Sequence, residues 1–345
     1  MNMRSFCGER KIIEDLAEGR KTLWELLASY HWSLRDFIRT VNRLYEEGVI
    51  GSDGKYIYLR RPYARKGTFG SARCPRCLGR AVLPTGYGRL KRKFERLLTG
   101  RPKPVIRFFQ GYMRPGDVLA RIALMHSYDD VEDRSIILVG DDDLVSLALA
   151  LTQLPRRITV LDVDERLGEF IERVSKQEGL EVEFIVHDVR DPLPAELRKK
   201  FDVFVTDPLE TVSGLKAFLA RAACALKPYG SAGYFGLTTL EASFGKWLWL
   251  QRFLAQMNLA ITDAIREHSS YPTKDYGIGF PYEEEILKRL KFKYDLPPNV
   301  DWYKSTFFRV VAVGRVKPPV CSKRIRLRVH DSDDVTWPGG ERTVF

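Results

Sequence analysis

The stretch that decides the fold is Ser135-Ile136-Ile137-Leu138-Val139-Gly140-Asp141-Asp142-Asp143. Five consecutive apolar or small residues, three of them β-branched, predict a strand buried on both faces, as in a parallel sheet. Gly140 and three aspartates break that run, and the apolar stretch Leu144 to Leu154 predicts a helix. Moving outward, Ile158-Thr159-Val160-Leu161 is a second strand ending in Asp162-Val163-Asp164, and Val182 to Val186 a third ending in His187-Asp188. A fourth, Asp202 to Val205, ends in Thr206-Asp207-Pro208-Leu209. Strands that alternate with helices build a doubly wound sheet, whose carboxyl ends face one crevice. Four acidic strand ends would then meet in that crevice.

The chemistry of the crevice follows from its charge. Carboxylates beside a pyrophosphate would repel it, and the turn has one glycine where a dinucleotide fingerprint has three, so NAD, FAD and ATP are poor fits. A nucleoside that carries a cation and no phosphate fits better, as S-adenosylmethionine-like compounds do. Asp162 lies 22 positions after Gly140 and would accept the ribose hydroxyls. Asp188 would meet the adenine amino group, and the Gly140 turn would lie beside the sulfonium. His187 is read as structural. Base methylation at an adenine amino group commonly uses an aromatic after Asp/Asn-Pro-Pro; here Asp207-Pro208 precedes Leu209-Glu210, and Glu210 would repel a phosphate backbone. A polyamine, whose ammonium groups carboxylates can hold, suits the site.

The remaining chain frames this core. The 345 residues are enough for about two domains. The net charge of +11 is uneven: residues 1–107 carry 24 Lys/Arg against 10 Asp/Glu, residues 108–315 carry 26 against 31, and residues 316–345 carry 6 against 4. Residues 10–59 read as a winged helix-turn-helix: a helix opening at Ser33, with Leu34, Phe37, Ile38, Val41 and Leu44 on one face, then a hairpin turning at Asp53-Gly54. Arg35, Arg39 and Arg43 form a basic ridge, which suits either DNA contact or a solvated face of a packing module. Cys74-Pro75-Arg76-Cys77 has the spacing of half a zinc knuckle; a loop, a disulfide, or a zinc site completed by a second copy all fit it. The other cysteines are too scattered to suggest a disulfide framework. The expected divisions are a winged-helix-like domain at 1–66, a linker at 67–106, a Rossmann-like domain of methyltransferase type at 107–315 and a basic tail at 316–345. With neither a long apolar segment nor a signal sequence, the expectation is a cytoplasmic protein without a membrane partner.

The ordered set of motifs resembles the archaeal and bacterial branched-chain polyamine synthases, which make bis(aminopropyl)spermidine. The matching residues are Cys74-Pro75-Arg76-Cys77, Phe109-Gln110-Gly111-Tyr112, Gly140 to Asp143, Asp207-Pro208-Leu209, Glu241 with Trp247 and Gln251, Ile261-Thr262-Asp263, and Asp301-Trp302-Tyr303-Lys304-Ser305. The segment His268 to Tyr271 and the tail from Val316 depart from the pattern. The resemblance implies transfer of 3-aminopropyl from decarboxylated S-adenosylmethionine, a co-substrate, to the internal amine of spermidine or a related polyamine. No tightly bound cofactor and no metal are expected, and a homodimer is. Asp142 is the leading base, with Asp207 next. Gly140, Asp141, Asp143, Asp162, Asp188 and Gln110 are expected at the donor. Glu241, Pro208, Leu209, Tyr112, Trp302 and Tyr303 are expected around the acceptor or as walls of the site. The competing readings are an S-adenosylmethionine-dependent nucleic-acid methyltransferase and a DNA-binding regulator that senses a nucleoside or polyamine.

Overall fold

The computed structural model describes residues 8–63, 77, 79, 87–272 and 281–331. Cys74, and with it the CxxC reading, lies outside them. The chain opens with α1 (Glu9–Ala17), α2 (Leu23–Ala28) and α3 (Leu34–Glu46), followed by the antiparallel pair β1 (Ile50–Ser52) and β2 (Ile57–Leu59). Thr22 caps α2 through a reciprocal box with Glu25, and the Ser33 hydroxyl accepts from Asp36 N to start α3. Order and turn positions agree with the expected helix and hairpin, but the packing adds something the pattern did not contain. Trp24, Phe37 and Val41 share one core with Ile286, Phe292 and Trp302 of the C-terminal part. Asn42 on α3 donates to Arg289 O and accepts from Lys291 N, each at 2.8 Å. Within the expected basic ridge, Arg43 pairs with Glu9 at 2.5 Å.

α4 (Tyr87–Leu97) and α5 (Pro115–Ser127) bring the chain to β3 (Ser135–Val139). There follow α6 (Val145–Thr152), β4 (Arg157–Asp162), α7 (Glu165–Glu178), β5 (Glu183–Val186), β6 (Val203–Thr206), α8 (Val212–Ala225) and β7 (Ala232–Thr238). The chain then runs through α9 (Phe244–Gln256), β8 (Leu259–Ser270), α10 (Pro281–Lys288) and β9 (Lys304–Ala312). The seven-stranded sheet has the order β5-β4-β3-β6-β7-β9-β8. The first five strands are parallel, and β9 is antiparallel to both β7 and β8. β3 is buried along its whole length, as a central parallel strand must be. Strand order reverses between β3 and β6, the switch point where a crevice opens beyond the carboxyl ends.

One feature corrects the expectation from the sequence. Cys224 and Cys321 form a disulfide across 97 positions, so cysteines that looked scattered are paired. In the described part of the basic tail, residues 316–331, Val316 and Ile325 are buried against the same core as α8 and α9, while Arg324, Arg326 and Arg328 remain exposed.

Candidate functional site

The three aspartates after Gly140 divide their tasks. Asp141 turns inward beneath α6, where both its oxygens accept from Ser146 N at 3.3 Å. Asp142 accepts from Gly111 N at 3.0 Å, and Asp143 from Met113 N at 2.5 Å. The turn therefore anchors residues 110–113 to the end of β3. Gly140, at φ +78°, and Leu144, at φ +57°, supply the left-handed geometry that bends the chain so sharply. Gln110 completes the anchor: its amide donates to Asp164 at 2.9 Å while its oxygen accepts from Val105 N at 3.0 Å.

A cavity opens above these groups. At one end its walls include Gly140, Leu161, Asp162, Val163, His187, Asp188, Val189 and Phe218. Asp162 accepts from Asp141 N at 3.0 Å and from Asp164 N at 2.9 Å, which fixes the carboxylate at the end of β4. Burial raises its pKa. Asp188 is also penalised by burial, but Arg190, paired with it at 2.5 Å, outweighs that and holds it below the usual range. A hydrogen-bonding carboxylate at each of two adjacent strand ends, with Leu161, Val163, Val189 and Phe218 nearby, can hold the ribose and base of a nucleoside.

The other end is lined by Asp207, Pro208, Leu209, Glu210, Glu241, Tyr271, Tyr282 and Tyr303. Asp207 is saturated. Its oxygens accept from Arg121 Nη1 at 2.9 Å each, from Gly236 N at 2.9 Å and from Tyr271 Oη at 2.7 Å. Arg121 is 1% exposed and also bonds Ser269 and Ser305. Register shifts in β8 between Ile261 and Asp263 and between Ile265 and Ser269 re-aim the strand before Ser269 and Tyr271 reach this cluster. Glu210 bonds Thr238 through both oxygens at 2.6 Å, and burial, then the nearby Glu241, push its pKa well above the usual range.

Asp142 and Asp143 lie between the two ends. Burial, and after it Asp162 and Asp207, push Asp142 up to about 7. Burial and the neighbouring Asp142 and Asp207 push Asp143 well above its ordinary value. Like charges crowded in a low-dielectric site keep some of these groups protonated until a cation arrives.

Of the residues expected here, Gln110, Gly140, Asp142, Asp143, Asp162, Asp188, Asp207, Pro208, Leu209, Glu241 and Tyr303 line the cavity. Asp141, Tyr112 and Trp302 are not among its walls. Tyr112 is 2% exposed, with its hydroxyl on Pro102 O and Arg101 stacked on its ring. Trp302 turns toward Trp24, with ring centroids 5.6 Å apart, and donates to Glu283 at 3.1 Å. Adjacent residues in an extended segment point opposite ways, so Tyr303 faces the cavity and Trp302 the N-terminal core. Arg121, Tyr271 and Tyr282 escaped the sequence reading. Arg121 sits in an otherwise apolar helix stretch, Val118 to Met125, and that isolated charge was the available signal.

Residues 89–335 match the family described as the branched-chain polyamine synthase A C-terminal domain. The N(4)-bis(aminopropyl)spermidine synthase of Thermococcus kodakarensis is 37% identical over 296 residues, covering 84% of this chain and 83% of the relative. The enzyme of that name from Thermus thermophilus is 36% identical over 312 residues, 89% of this chain and 88% of its own length. The crystal structure of the branched-chain polyamine synthase from Thermus thermophilus, in complex with N4-aminopropylspermidine and 5′-methylthioadenosine, superposes with a TM-score of 0.83. It is 33% identical, with 95% of this chain and 93% of that one covered.

Proposed function

Since the chain belongs to the branched-chain polyamine synthase family, we propose that it transfers 3-aminopropyl from decarboxylated S-adenosylmethionine to the internal nitrogen of spermidine. The product class is N(4)-bis(aminopropyl)spermidine and the leaving group 5′-methylthioadenosine. One contrast carries the assignment of roles. Asp207 accepts four hydrogen bonds from three donor groups on its two oxygens, whereas Asp142, which lines the cavity, accepts only from Gly111 N, through Oδ2, among the described residues. A base needs a free lone pair and a pKa near the working pH, and Asp142 has both.

In the first transfer the secondary amine attacks the methylene bound to the sulfonium. A C–N bond forms, the C–S bond breaks with its electron pair going to sulfur, and the amine proton passes to Asp142. The second attack, by the tertiary amine, has no proton to lose. There Asp142 acts beforehand, by keeping that nitrogen unprotonated. Asp162 and Asp188 orient the nucleoside, and Glu210 with Glu241 receives an ammonium arm of the acceptor. Much of the acceleration comes from alignment, because the sulfonium is already a good leaving group.

The N-terminal helices and hairpin we read as a winged helix kept as a packing module, which favours this reading over nucleic-acid methylation. Among the described residues, no helix is long and apolar enough to cross a membrane. A cytoplasmic homodimer fits the reading. Incubation with decarboxylated S-adenosylmethionine and spermidine, followed by fragmentation mass spectrometry, is expected to give N4-branched products and one methylthioadenosine per aminopropyl group transferred. A linear product alone would overturn the assigned acceptor nitrogen, and no aminopropylated product would overturn the reaction.

A further inference from the structure

Arg221 on α8 is fully buried, and its guanidinium is spent on backbone carbonyls. Nε donates to Val189 O at 3.0 Å, Nη2 to Arg190 O at 3.0 Å and Lys323 O at 2.8 Å, and Nη1 to Val320 O. Two of these carbonyls belong to the loop after β5 that carries Asp188 and Val189 into the cavity. The other two belong to the C-terminal segment. One helical turn further along α8, Cys224 is joined to Cys321 of the same segment. Ile325 N donates to Arg190 O at 2.8 Å, and Arg324 pairs with Asp191 at 2.8 Å.

From there the segment runs as an extended strap outside the sheet. Ile325 is buried and Leu327 and Val329 half-buried, while Arg326, Arg328 and His330 are exposed, the alternation of a chain lying on a surface. Leu327 and Val329 line the cavity. The strap is fastened again near the start of α8, where Thr211 Oγ1 donates to Arg328 O at 2.8 Å and Val212 N to Asp331 at 2.8 Å. Among the described residues it has no strand partner, so its position depends on these fastenings.

We propose that Arg221 and the Cys224–Cys321 disulfide are positioning elements for the nucleoside: they lock the strap to the loop at 188–191, so that Leu327 and Val329 stand ready as cavity wall before the ligand arrives. A wall already ordered does not have to be ordered by binding, and the disulfide removes much of the strap's freedom. The clamp grips the nucleoside end. The variants below leave intact the strap's other fastening, at Thr211 and Val212 beside Glu210, so polyamine affinity is expected to change little. This inference rests on the reading that the Asp162–Asp188 end binds a nucleoside.

The test is calorimetric titration of the full chain with 5′-methylthioadenosine and, separately, with spermidine. The double variant Cys224→Ser/Cys321→Ser is expected to bind methylthioadenosine about tenfold more weakly while spermidine stays within about twofold. Arg221→Lys, which keeps the charge but cannot span four carbonyls, is expected to show the same split. If the double variant does not fold, the unaltered protein with its disulfide reduced by dithiothreitol gives the same comparison. Unchanged nucleoside affinity, or equal weakening of both ligands, would overturn the clamp and leave the proposed reaction standing. Failure of the unaltered protein to bind methylthioadenosine would overturn both.

Discussion

At the scale of single residues, the site depends on two aspartates of one chemical type in opposite states. Asp142 has one backbone donor and a pKa pushed to about 7, while Asp207 is paired with a buried guanidinium. Asp142→Asn is expected to fold normally and lose about 10²- to 10⁴-fold in turnover, measured as methylthioadenosine release. In the free enzyme kcat/KM should rise with pH through about 7 as Asp142 ionises. The effect on stability has the opposite sign. With its folded value raised from 3.8 to about 7, Asp142 contributes stability that is complete below 3.8 and gone once the pH has passed about 7. Thermal unfolding at pH 5 and pH 8 should show the unaltered protein weaker at pH 8, and Asp142→Asn should reduce that difference. Arg121→Met strands Asp207 without its counter-charge and is expected to destabilise by about 3–5 kcal/mol, with much of this recovered in Arg121→Met/Asp207→Leu. A urea-unfolding double-mutant cycle measures it.

At the scale of elements, what the sequence revealed was local and what it hid was long-range. Buried parallel strands announce themselves by composition, so β3, β4 and β6, and beside them the edge strand β5, are legible with their acidic ends from residues 135–207 alone. Asp142 and Asp162 follow from strand ends for the same reason. Arg121 does not, because its partners Asp207, Ser269 and Ser305 are 86 to 184 positions away. Nor does the Cys224–Cys321 bond, since one partner ends a helix and the other sits in a segment without regular structure. Trp302 and Tyr303 were read alike because aromatic composition carries no direction. β7 supplies an element-level test. A β-carbon at Gly236 would stand 2.2 Å from Asp207 Oδ1 and 2.9 Å from Arg121 Nη2. Gly236→Ala is therefore expected to cost about 1–3 kcal/mol in denaturant unfolding and to raise the KM for spermidine, as Asp207 is pushed out of place.

At the scale of the whole molecule, the N-terminal unit is part of the enzyme's body. Ile286, Phe292 and Trp302 share one buried core with residues of α1 to α3. Removing residues 1–63 exposes that apolar surface, and the shortened chain is expected to elute from size exclusion as aggregate where the full chain does not. The +11 net charge is concentrated in residues 1–107 of the sequence, and Arg107 from that segment is among the cavity walls.

The crowded carboxyls between β3 and β7 have a consequence beyond catalysis. With burial pushing Asp142 up to about 7 and Asp143 and Glu210 well above their ordinary values, the cavity has the character of a weak-acid ion exchanger. An ammonium group that enters among carboxyls with raised pKa values favours release of their protons, so loading a polyamine acidifies the medium and a rise in pH favours loading. A monovalent ion can satisfy one exchange position and leaves its neighbours unsatisfied. A flexible trication reaches several at once, and valence alone therefore sorts polyamines from the far more abundant simple salts.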